Sequence, residues 1–438
     1  MAFATFGCKL NQWDTQNMLR LMAGHCDIVD FDREADVYVV NTCTVTAGSD
    51  YQARQLIRRT AREHPGATVV VTGCYAERAR DELLSIEGVA EVVGNDAKEH
   101  LHELLSGYTG TAEPGEERAF GPAAPPLGSP AVRSRAHVAI QQGCDRRCAY
   151  CIVPSVRGPA RSRSPESVAG QVRTLLDGGF REIVLTGTYL GDYGVDLDGS
   201  VDLPGLVEIL DGLVDGAARL RISSLGPSEI TEELIESMAG CRNVCRHFHV
   251  AFQSGDDGVL ESMGRGHGGR ELRRALELIA DAFPDCGLGG DAMVGFPGED
   301  DEAFSNTASV VREYPFSYLH VFVFSPRPGT AAATLGDPVH PRVAAQRSLA
   351  LRELGAQKGL DFARRFVGRR VNVIAEGPSE EEGIVEGTSD EYLRVLFEGD
   401  RDWKGRLLPV DVIGVVSARR VSGRMPANQT SLRRETWG

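Results

Sequence analysis

The chain has 438 residues, of which 42% are hydrophobic and 25% are charged, and its formal net charge is −15. This length predicts two or three domains, and the composition is typical of soluble globular proteins. The acidic balance argues against a protein that coats nucleic acid, although local basic patches can still bind phosphate. No apolar run is long enough to span a bilayer and no basic leader precedes the first strand, so we expect a cytoplasmic protein with no membrane contact.

The first hundred residues repeat a simple unit. Strand-like runs at 3–6, 36–40 and 68–71 alternate with helical patterns at 16–23, 51–63 and 78–84, which predicts βαβ units and a parallel sheet. Each strand runs into a cysteine, namely Cys8, Cys43 and Cys74. Because the carboxyl ends of parallel strands line one crevice, we expect these three thiols to converge. Three unrelated buried cysteines are the alternative.

A stretch rich in Gly and Pro divides the chain. It predicts a linker at 108–130, between an N-terminal domain at 1–107 and a second domain at 131–363. Six strand-like runs recur in the second domain with helical intervals, at 137–142, 182–185, 220–224, 247–253, 291–296 and 318–324. That repeat predicts a partial (β/α)6 barrel whose active site gathers at the C-terminal ends of the strands.

Cys144, Cys148 and Cys151 follow the first of these barrel strands. Three thiolates at this spacing can hold three corners of a cubic iron–sulfur cluster and leave the fourth iron open to a substrate or cofactor. Zinc is the main competitor, but structural zinc sites close with four ligands, and no fourth Cys or His follows at a suitable distance. Ten cysteines in a cytoplasmic chain are in any case better explained as metal ligands and buried thiols than as disulfides.

A long helix at 342–366 ends this region. The remaining residues form a predicted small antiparallel barrel at 364–426, with strands at 368–375, 382–387, 392–397 and 412–421, followed by a tail at 427–438. Small β-barrels often bind oligonucleotides. A charged surface facing solvent is the alternative for this region.

The motifs together resemble a known family. The Cys144, Cys148 and Cys151 spacing is the hallmark of radical S-adenosylmethionine (SAM) enzymes. The segments 7–11, 41–43 and 72–74 resemble the methylthiotransferase branch of that superfamily, as do 253–256, 294–299 and 325–330, and the C-terminal region is similar to the RNA-binding TRAM domain. Gly7-Cys8-Lys9-Leu10-Asn11 is similar to the subgroup that acts on N6-threonylcarbamoyladenosine beside the tRNA anticodon. The subgroups that act on isopentenyladenosine or on a ribosomal-protein aspartate are the alternatives.

The resemblance implies an α/β enzyme with two 4Fe–4S clusters and SAM as cofactors. Cys144, Cys148 and Cys151 would hold the cluster that binds SAM and generates a 5′-deoxyadenosyl radical, and Cys8, Cys43 and Cys74 would hold the cluster that supplies sulfur. The expected partners are tRNA and an electron donor such as flavodoxin or ferredoxin, and the expected state is a monomer. Five residues are expected at the SAM site, namely Tyr150, Gly187, Ser224, Gln253 and Gly295. Five arginines are candidate contacts to RNA phosphate: Arg157, Arg161, Arg163, Arg369 and Arg370.

One position departs from the family pattern, since Gly226 stands where relatives commonly carry Glu. Other groups of polar residues are interpreted as structural. Cys241 and Cys245 precede a strand, with His247 and His249 nearby, and a strand buries one of its faces. Asp256 and Asp257 cap a helix. A rival of another class remains, a non-catalytic RNA-binding protein that is stabilised by zinc at these cysteines.

Overall fold

The computed structural model of the protein describes residues 1–22, 25–109, 134–199 and 201–426. The predicted tail at 427–438, and the predicted linker from residue 110 onward, lie outside these described residues. Within them, no helix is long and apolar enough to cross a membrane.

The N-terminal unit is a four-stranded parallel sheet in the order β1-β2-β3-β4. Its strands are β1 (Ala2–Thr5), β2 (Val37–Thr42), β3 (Thr68–Gly73) and β4 (Val89–Val93), and its helices are α1 (Lys9–Met22), α2 (Ala47–Glu63), α3 (Cys74–Arg78), α4 (Arg80–Leu84) and α5 (Leu101–Thr109). Strand β2 is buried along its whole length, which explains its continuous apolar run. The sequence patterns missed β4, which is short and partly exposed.

The central unit is the expected partial barrel of six βα units. Its strands are β5 (Ala136–Ala139), β6 (Gln141–Gln142), β7 (Arg161–Ser162), β8 (Glu182–Thr186), β9 (Arg219–Ile222), β10 (Ser224–Leu225), β11 (His247–Gln253), β12 (Gly287–Val294) and β13 (Tyr318–Val323). Its helices are α6 (Val153–Arg157), α7 (Pro165–Asp177), α8 (Leu203–Asp211), α9 (Glu232–Gly240), α10 (Asp257–Ser262), α11 (Gly269–Ala282), α12 (Asp301–Glu313) and α13 (Pro341–Arg364). Two parallel sheets, β5-β8-β9 and β10-β11-β12-β13, form the wall, and β6 pairs with β7 as a separate ribbon. The largest apolar core lies between this wall and its helices.

Strand β12 begins four residues earlier than predicted. The sequence pattern missed its first half because glycines occupy three of those four positions. A Cβ at Gly289 would lie 2.1 Å from the Tyr318 ring, and one at Gly290 would lie 2.7 Å from the Phe252 ring. The neighbouring rings fill the space that side chains would otherwise take. Glycine is a poor strand former in isolation, so only this packing explains the strand.

The C-terminal unit is a closed five-stranded barrel in the order β14-β15-β16-β18-β17. Its strands are β14 (Arg370–Pro378), β15 (Ile384–Ser389), β16 (Arg394–Glu398), β17 (Leu407–Ser417) and β18 (Arg420–Arg424). The single strand predicted at 412–421 is wrong, because the chain turns back at Arg419, which has a φ of 58°. The barrel is also not wholly antiparallel, since β16 and β18 run parallel.

The C-terminal barrel docks on the central barrel through what we call the C-terminal interface, formed by Glu182, Arg219 and Arg221. Arg219 Nε and Arg221 Nε each lie 2.7 Å from the buried Glu182 carboxylate. Their remaining donors reach carbonyl oxygens of the C-terminal barrel, including Thr388 O at 2.8 Å and Ser389 O at 2.9 Å. Burial by itself would raise the pKa of Glu182, but the two arginines hold it well below its usual value.

Candidate active site

The structure brings Cys8, Cys43 and Cys74 together at the carboxyl ends of β1, β2 and β3. Gly7 has a φ of +104°, and a Cβ there would lie 2.6 Å from Cys43 Cβ, so the Cys8 loop rests directly on Cys43. Burial raises the pKa of Cys43 to about 11, and the negative charges of Cys8 and Cys74 add to the rise. Three neighbouring thiols, of which the buried Cys43 has a raised pKa, match the ligand set of a bound cationic metal centre.

Asn11 ties the strand ends of this pocket together. Its Nδ2 donates to Phe6 O at 2.8 Å and to Thr42 O at 3.0 Å, and Cys74 Sγ lies 3.9 Å from its Oδ1. These three contacts of Asn11 lie at or near the three cysteines. Phe6 is two residues before Cys8, Thr42 directly precedes Cys43, and Cys74 is itself a member of the triplet. The fifth residue of the Gly7–Asn11 segment is therefore needed for the geometry of the pocket.

The second cysteine set lies in the loop between β6 and α6. Cys144 N donates to Gly158 O at 3.1 Å, and Cys151 N donates to Cys148 O at 3.0 Å, so the loop closes on itself. Gly143 has a φ of +73°, and a Cβ there would lie 1.8 Å from Pro159 O. Burial raises the pKa of Cys151 to about 11, with the charges of Cys148 and Cys144 adding to it.

One packing contact joins the segments that carry the two cysteine sets. Helix α3 begins at Cys74, helix α6 begins two residues after Cys151, and Cys74 packs against Ile152 and Val156 in a small apolar cluster. Nothing in the sequence spacing predicts this contact, since the sets lie about seventy residues apart. The segments that carry the two thiol triplets are therefore in contact.

Arg157 is part of this contact, and the expectation that it binds RNA phosphate is wrong. Its side chain is only 4% exposed, and its Nη2 lies 2.8 Å from Asp14 Oδ2 and donates to Asn11 Oδ1. Lys98 Nζ reaches the same Asp14 oxygen at 2.6 Å. We call Asp14, Lys98 and Arg157 the N-terminal interface. Burial would raise the pKa of Asp14, but the two cations hold it below its usual value.

A second set of contacts joins the same units through the segment 325–330. Arg327 Nη2 donates to Thr44 Oγ1 at 2.9 Å and pairs with Asp50 Oδ2. Arg78 donates to the same Thr44 oxygen and pairs with the same carboxylate, each at 2.9 Å. The resemblance drew attention to this segment, and its structural role is to hold the loop that follows Cys43.

Of the residues expected at the SAM site, Tyr150 lies within the Cys144–Cys151 loop. Tyr150 is enclosed, its pKa is raised by burial, and its hydroxyl accepts from Arg265 Nη1 at 3.3 Å. Arg265 also lies 3.7 Å from Cys148 Sγ and donates to Ala251 O at 2.9 Å. Arg265 is not predicted from the sequence, because it is distant in sequence from every cysteine of the two triplets.

Gln253 ends β11 in the left-handed region, with a φ of 66°, just after an irregularity in the pairing with β12. Such bulges re-aim side chains next to active sites. Among the described residues, no hydrogen bond reaches the Gln253 side chain, so its amide remains available to a ligand.

Close packing at Gly187 and Gly295 leaves no room for a side chain. A Cβ at Gly187 would lie 3.0 Å from Gln141 O, and one at Gly295 would lie 2.7 Å from Ala344 Cβ on α13. Gly295 N also donates to Glu299 Oε1 at 3.0 Å, and Arg347 Nη1 donates to that oxygen at 2.7 Å. A SAM contact by either backbone stays a prediction.

The departure at Gly226 has a structural counterpart. The Glu229 carboxylate accepts from Gly226 N and Gly191 N, and a Cβ at Gly226 would lie 2.9 Å from Glu229 Oε2. Burial raises the pKa of Glu229 to about 7, against the opposing effect of those two hydrogen bonds. A carboxylate therefore occupies the space next to position 226 although that residue has no side chain.

The other four arginines expected to bind RNA differ in their exposure and in their hydrogen-bond partners. Arg163 donates to Ala139 O at 2.9 Å and to Gln171 and Ser167, so its guanidinium braces the barrel wall. Arg161, Arg369 and Arg370 are about half exposed and pair with Asp96, Asp285 and Asp411 respectively. Exposed pairs of this kind are weak and can exchange partners.

The barrel lumen contains polar residues that the sequence analysis did not connect. Ser224 Oγ lies 2.6 Å from His249 Nδ1, and Asp291 Oδ1 lies 3.2 Å from both His249 Nε2 and His320 Nδ1. The expectation that His249 is merely structural was therefore incomplete. For Asp256 the expectation of a cap is confirmed, because its side chain accepts from Val259 N at the start of α10.

Comparisons with known proteins agree with this geometry. Residues 1–94 match the model described as "Uncharacterized protein family UPF0004", and residues 138–311 match the radical SAM superfamily. The threonylcarbamoyladenosine tRNA methylthiotransferase MtaB of Bacillus subtilis (strain 168) is 37% identical over 427 residues, which cover 94% of this chain and 93% of the relative. The chain belongs to the radical SAM methylthiotransferase family.

Other members of the family act on another modified base. The tRNA-2-methylthio-N(6)-dimethylallyladenosine synthase of Pelotomaculum thermopropionicum is 32% identical over 432 residues, covering 93% of this chain and 94% of the relative. Among solved structures, the radical SAM methyltransferase TsrM from Kitasatospora setae, with cobalamin and a 4Fe–4S cluster bound, has a TM-score of 0.56 at 16% identity and covers 76% of each chain. That likeness shows the fold alone.

As a radical SAM methylthiotransferase, the protein is a transferase that uses SAM and 4Fe–4S clusters. Its residues fit these groups, because the charges of Cys8 and Cys74 act on the Cys43 thiol and those of Cys148 and Cys144 act on the Cys151 thiol, so the members of each triplet lie near one another. A thiol triplet leaves one iron of a four-iron cluster without a protein ligand.

Proposed function

We propose that this enzyme adds a methylthio group to C2 of N6-threonylcarbamoyladenosine at position 37 of tRNA, next to the anticodon. The packing of Cys74 against Ile152 and Val156 carries the proposal, because this contact joins the segments that contain the two thiol triplets and so supports one shared site. The activity for which the Bacillus subtilis relative is named and the Gly7–Asn11 segment both favour this modified adenosine.

The chain's own residues provide enclosure and position. When bound, the clusters and SAM supply the sulfur, the methyl group and the radical chemistry that an unactivated C–H bond requires. Cys144, Cys148 and Cys151 would hold the SAM-binding cluster, and Cys8, Cys43 and Cys74 the sulfur-carrying one. Tyr150 and Arg265 enclose the first from one side, which keeps water and stray C–H bonds away. Ser224 and the free amide of Gln253 are the side chains that we assign to SAM.

The RNA would reach this site across exposed basic residues. We assign phosphate contacts to Arg161, Arg369 and Arg370, since their present carboxylate partners are exposed. A loop nucleotide lies outside a duplex and can be splayed into a pocket, which is how proteins usually read RNA. The wider proposal includes a flavodoxin or ferredoxin as electron donor, a monomeric state and a cytoplasmic location.

The decisive experiment is nucleoside analysis of tRNA from a strain that lacks the gene and any other enzyme with this activity. We expect the methylthio form of N6-threonylcarbamoyladenosine to disappear, while the unmodified threonylcarbamoyl form accumulates. If the strain instead loses the methylthio form of isopentenyladenosine, or a modified ribosomal-protein aspartate, that group is the substrate and the proposal is wrong.

Iron content tests the pairing of the triplets separately. Anaerobic reconstitution should give about eight irons per chain for two four-iron clusters, and Cys8→Ala should lower that number. Cys26→Ala is the matched control, because Cys26 lies near the N-terminal strands but outside both triplets. About four irons in both the wild type and Cys8→Ala would remove the second cluster, and a colourless zinc protein would support a non-catalytic RNA-binding protein.

A further inference from the structure

Two histidines and an aspartate lie on one face of the sheet β10-β11-β12-β13. His249 of β11 pairs in register with Gly289 of β12, and Asp291 lies two residues further along that strand. Asp291 in turn pairs in register with His320 of β13. Side chains two residues apart on a strand point to the same face, and residues paired across strands share a face. The two imidazoles therefore flank the Asp291 carboxylate on the lumen side of the sheet.

The ligand atoms of these three residues are close enough to share one ion. One such atom from each residue lies within 4.8 Å of the other two. Asp291 Oδ1 lies 3.2 Å from both His249 Nε2 and His320 Nδ1. Ligands bound at about 2.0–2.2 Å from a tetrahedral zinc ion lie about 3.3–3.6 Å from one another. The spacing around the Asp291 oxygen is therefore close to that of a metal site.

The Nε2 atom of His249 is buried without a hydrogen-bond partner. The side chain is only 6% exposed, and the contact of Nε2 with Asp291 Oδ1 is not aligned for a hydrogen bond. Among the described residues, no other group reaches this nitrogen. A buried polar atom that makes no hydrogen bond is costly. An ion between Nε2 and the carboxylate would give both groups a partner.

The surroundings supply an outer partner and an entry path. His249 Nδ1 lies 2.6 Å from Ser224 Oγ, and when Nδ1 donates to that oxygen, Nε2 presents its lone pair, as in most metal-bound histidines. The Tyr318 ring lies nearly parallel to the His249 ring, with 5.6 Å between the centroids, and holds its orientation. The His320 side chain is 53% exposed, so an ion can enter from that side. A ligand set, an outer partner and an entry path are what a metal site requires.

We propose that His249, Asp291 and His320 bind a divalent transition-metal ion of the zinc type in the barrel lumen. Two imidazoles and one carboxylate are the ligand set of several catalytic zinc sites, which keep a fourth position open for water or for an oxygen of another ligand. None of the three ligands is a cysteine, so this ion is separate from both iron–sulfur clusters. The inference goes beyond the proposed function and does not depend on which adenosine is modified.

The test measures zinc and iron in the same protein. The reconstituted holoenzyme is equilibrated anaerobically with zinc chloride, freed of excess metal and analysed for both elements. We expect about one zinc per chain in addition to about eight irons. X-ray absorption at the zinc edge should show nitrogen and oxygen ligands at about 2.0–2.2 Å, without the sulfur shell at about 2.3 Å that zinc at a cysteine site would give.

His320→Gln and Asp291→Asn each remove one ligand. Each should weaken zinc binding by at least about 100-fold at unchanged iron content, because loss of an outer partner alone typically costs about 10- to 100-fold. Asp291→Asn decides the question if His320→Gln loses iron. His100→Gln is the matched control, because His100 is a similarly exposed histidine of the N-terminal unit, next to Glu103. It should bind zinc as the wild type does.

Three results would overturn the inference: a holoenzyme with full iron that binds no zinc, a bound zinc ion with sulfur ligands, or ligand variants with full iron that bind zinc as tightly as the wild type. Each would leave the proposed function intact, since the tRNA nucleosides test that function. Zinc binding as expected, together with an unchanged nucleoside profile in the deletion strain, would refute the proposed function alone.

Discussion

The central barrel contacts the N-terminal unit and the C-terminal barrel through the same kind of buried ion pair, but the two interfaces have different roles. At the C-terminal interface, the Glu182 carboxylate holds two arginines whose other donors reach backbone carbonyls of the C-terminal barrel. At the N-terminal interface, Asp14 is the shared anion, and Arg157 also reaches Asn11 beside the thiols. One interface therefore joins two units, whereas the other also shapes the pocket of a cluster.

The comparison shows that a buried carboxylate with two cations can either join two units or also position the residues around a cluster. A buried carboxylate between two cations is stable only if all three groups stay together, so each interface fixes a unique arrangement. Because Asn11 contacts the strand ends that carry the cysteines, the N-terminal interface couples the placement of the units to the cluster geometry. The C-terminal interface has no such link to a cysteine of either triplet among the described residues.

The largest effect is expected at Glu182. Glu182→Gln leaves the buried Arg221 without a carboxylate and leaves Arg219 with Asp390 alone, which should cost about 3–5 kcal/mol of stability. The measurement is the urea midpoint, together with limited proteolysis at the junction between α13 and β14. Iron content should be unchanged, since no thiol triplet contacts this interface.

Glu236→Gln is the control for that change, because Glu236 is exposed on α9 and should alter stability by less than about 0.5 kcal/mol. A Glu182→Gln protein as stable as this control would show that the carbonyl contacts alone hold the barrels together.

The second effect concerns Arg157. Arg157→Met leaves Asp14 with Lys98 as its remaining cation and removes a hydrogen bond from Asn11, so we expect a loss of about 2–4 kcal/mol. In contrast to Glu182→Gln, this variant should also bind less iron after reconstitution.

Arg161→Met provides a matched comparison four residues away. Arg161 is half exposed and pairs with the exposed Asp96, so its loss should cost at most about 0.5 kcal/mol but should weaken tRNA binding. Equal iron content in both variants would break the proposed coupling between interface and cluster.

Acid should weaken the C-terminal interface. The unfolded Glu182 takes up a proton near its usual pKa of 4.5, whereas the folded carboxylate stays charged to a lower pH because two arginines hold it. The stability it contributes is complete above the usual pKa and is lost as the pH falls through the lower folded pKa. Urea midpoints from about pH 6 down to about pH 3 should therefore fall more steeply for the wild type than for Glu182→Gln. Parallel slopes would mean that other carboxylates govern the acid transition.

The smallest effect is expected for Thr44→Val. Thr44 Oγ1 accepts from both Arg78 and Arg327, so its removal should cost about 1–2 kcal/mol while both arginines keep Asp50. The urea midpoint measures the loss, and Thr46→Val is the comparison, because Thr46 instead caps α2 through Ser49 N. A loss confined to Thr46→Val would show that the cap matters more than the contact between units.

The sequence by itself determined the architecture and the two thiol triplets. Strand and helix periodicities predict the βα units, and a cysteine at each strand end predicts convergence, because parallel strands must end on one edge. Local sequence patterns did not predict the strand at Gly287–Gly290. These residues form a strand because neighbouring aromatic rings occupy the space where side chains would lie. Local patterns failed again at Arg419, where the turn between β17 and β18 depends on the closure of the barrel.

Only the tertiary structure decided what the separated polar residues do. Arg157 and Arg161 are indistinguishable by charge and spacing, yet one is buried against Asp14 and the other faces solvent. The physical reason is that burial and charge pairing are set by contacts between residues far apart in the chain, which a local pattern does not contain.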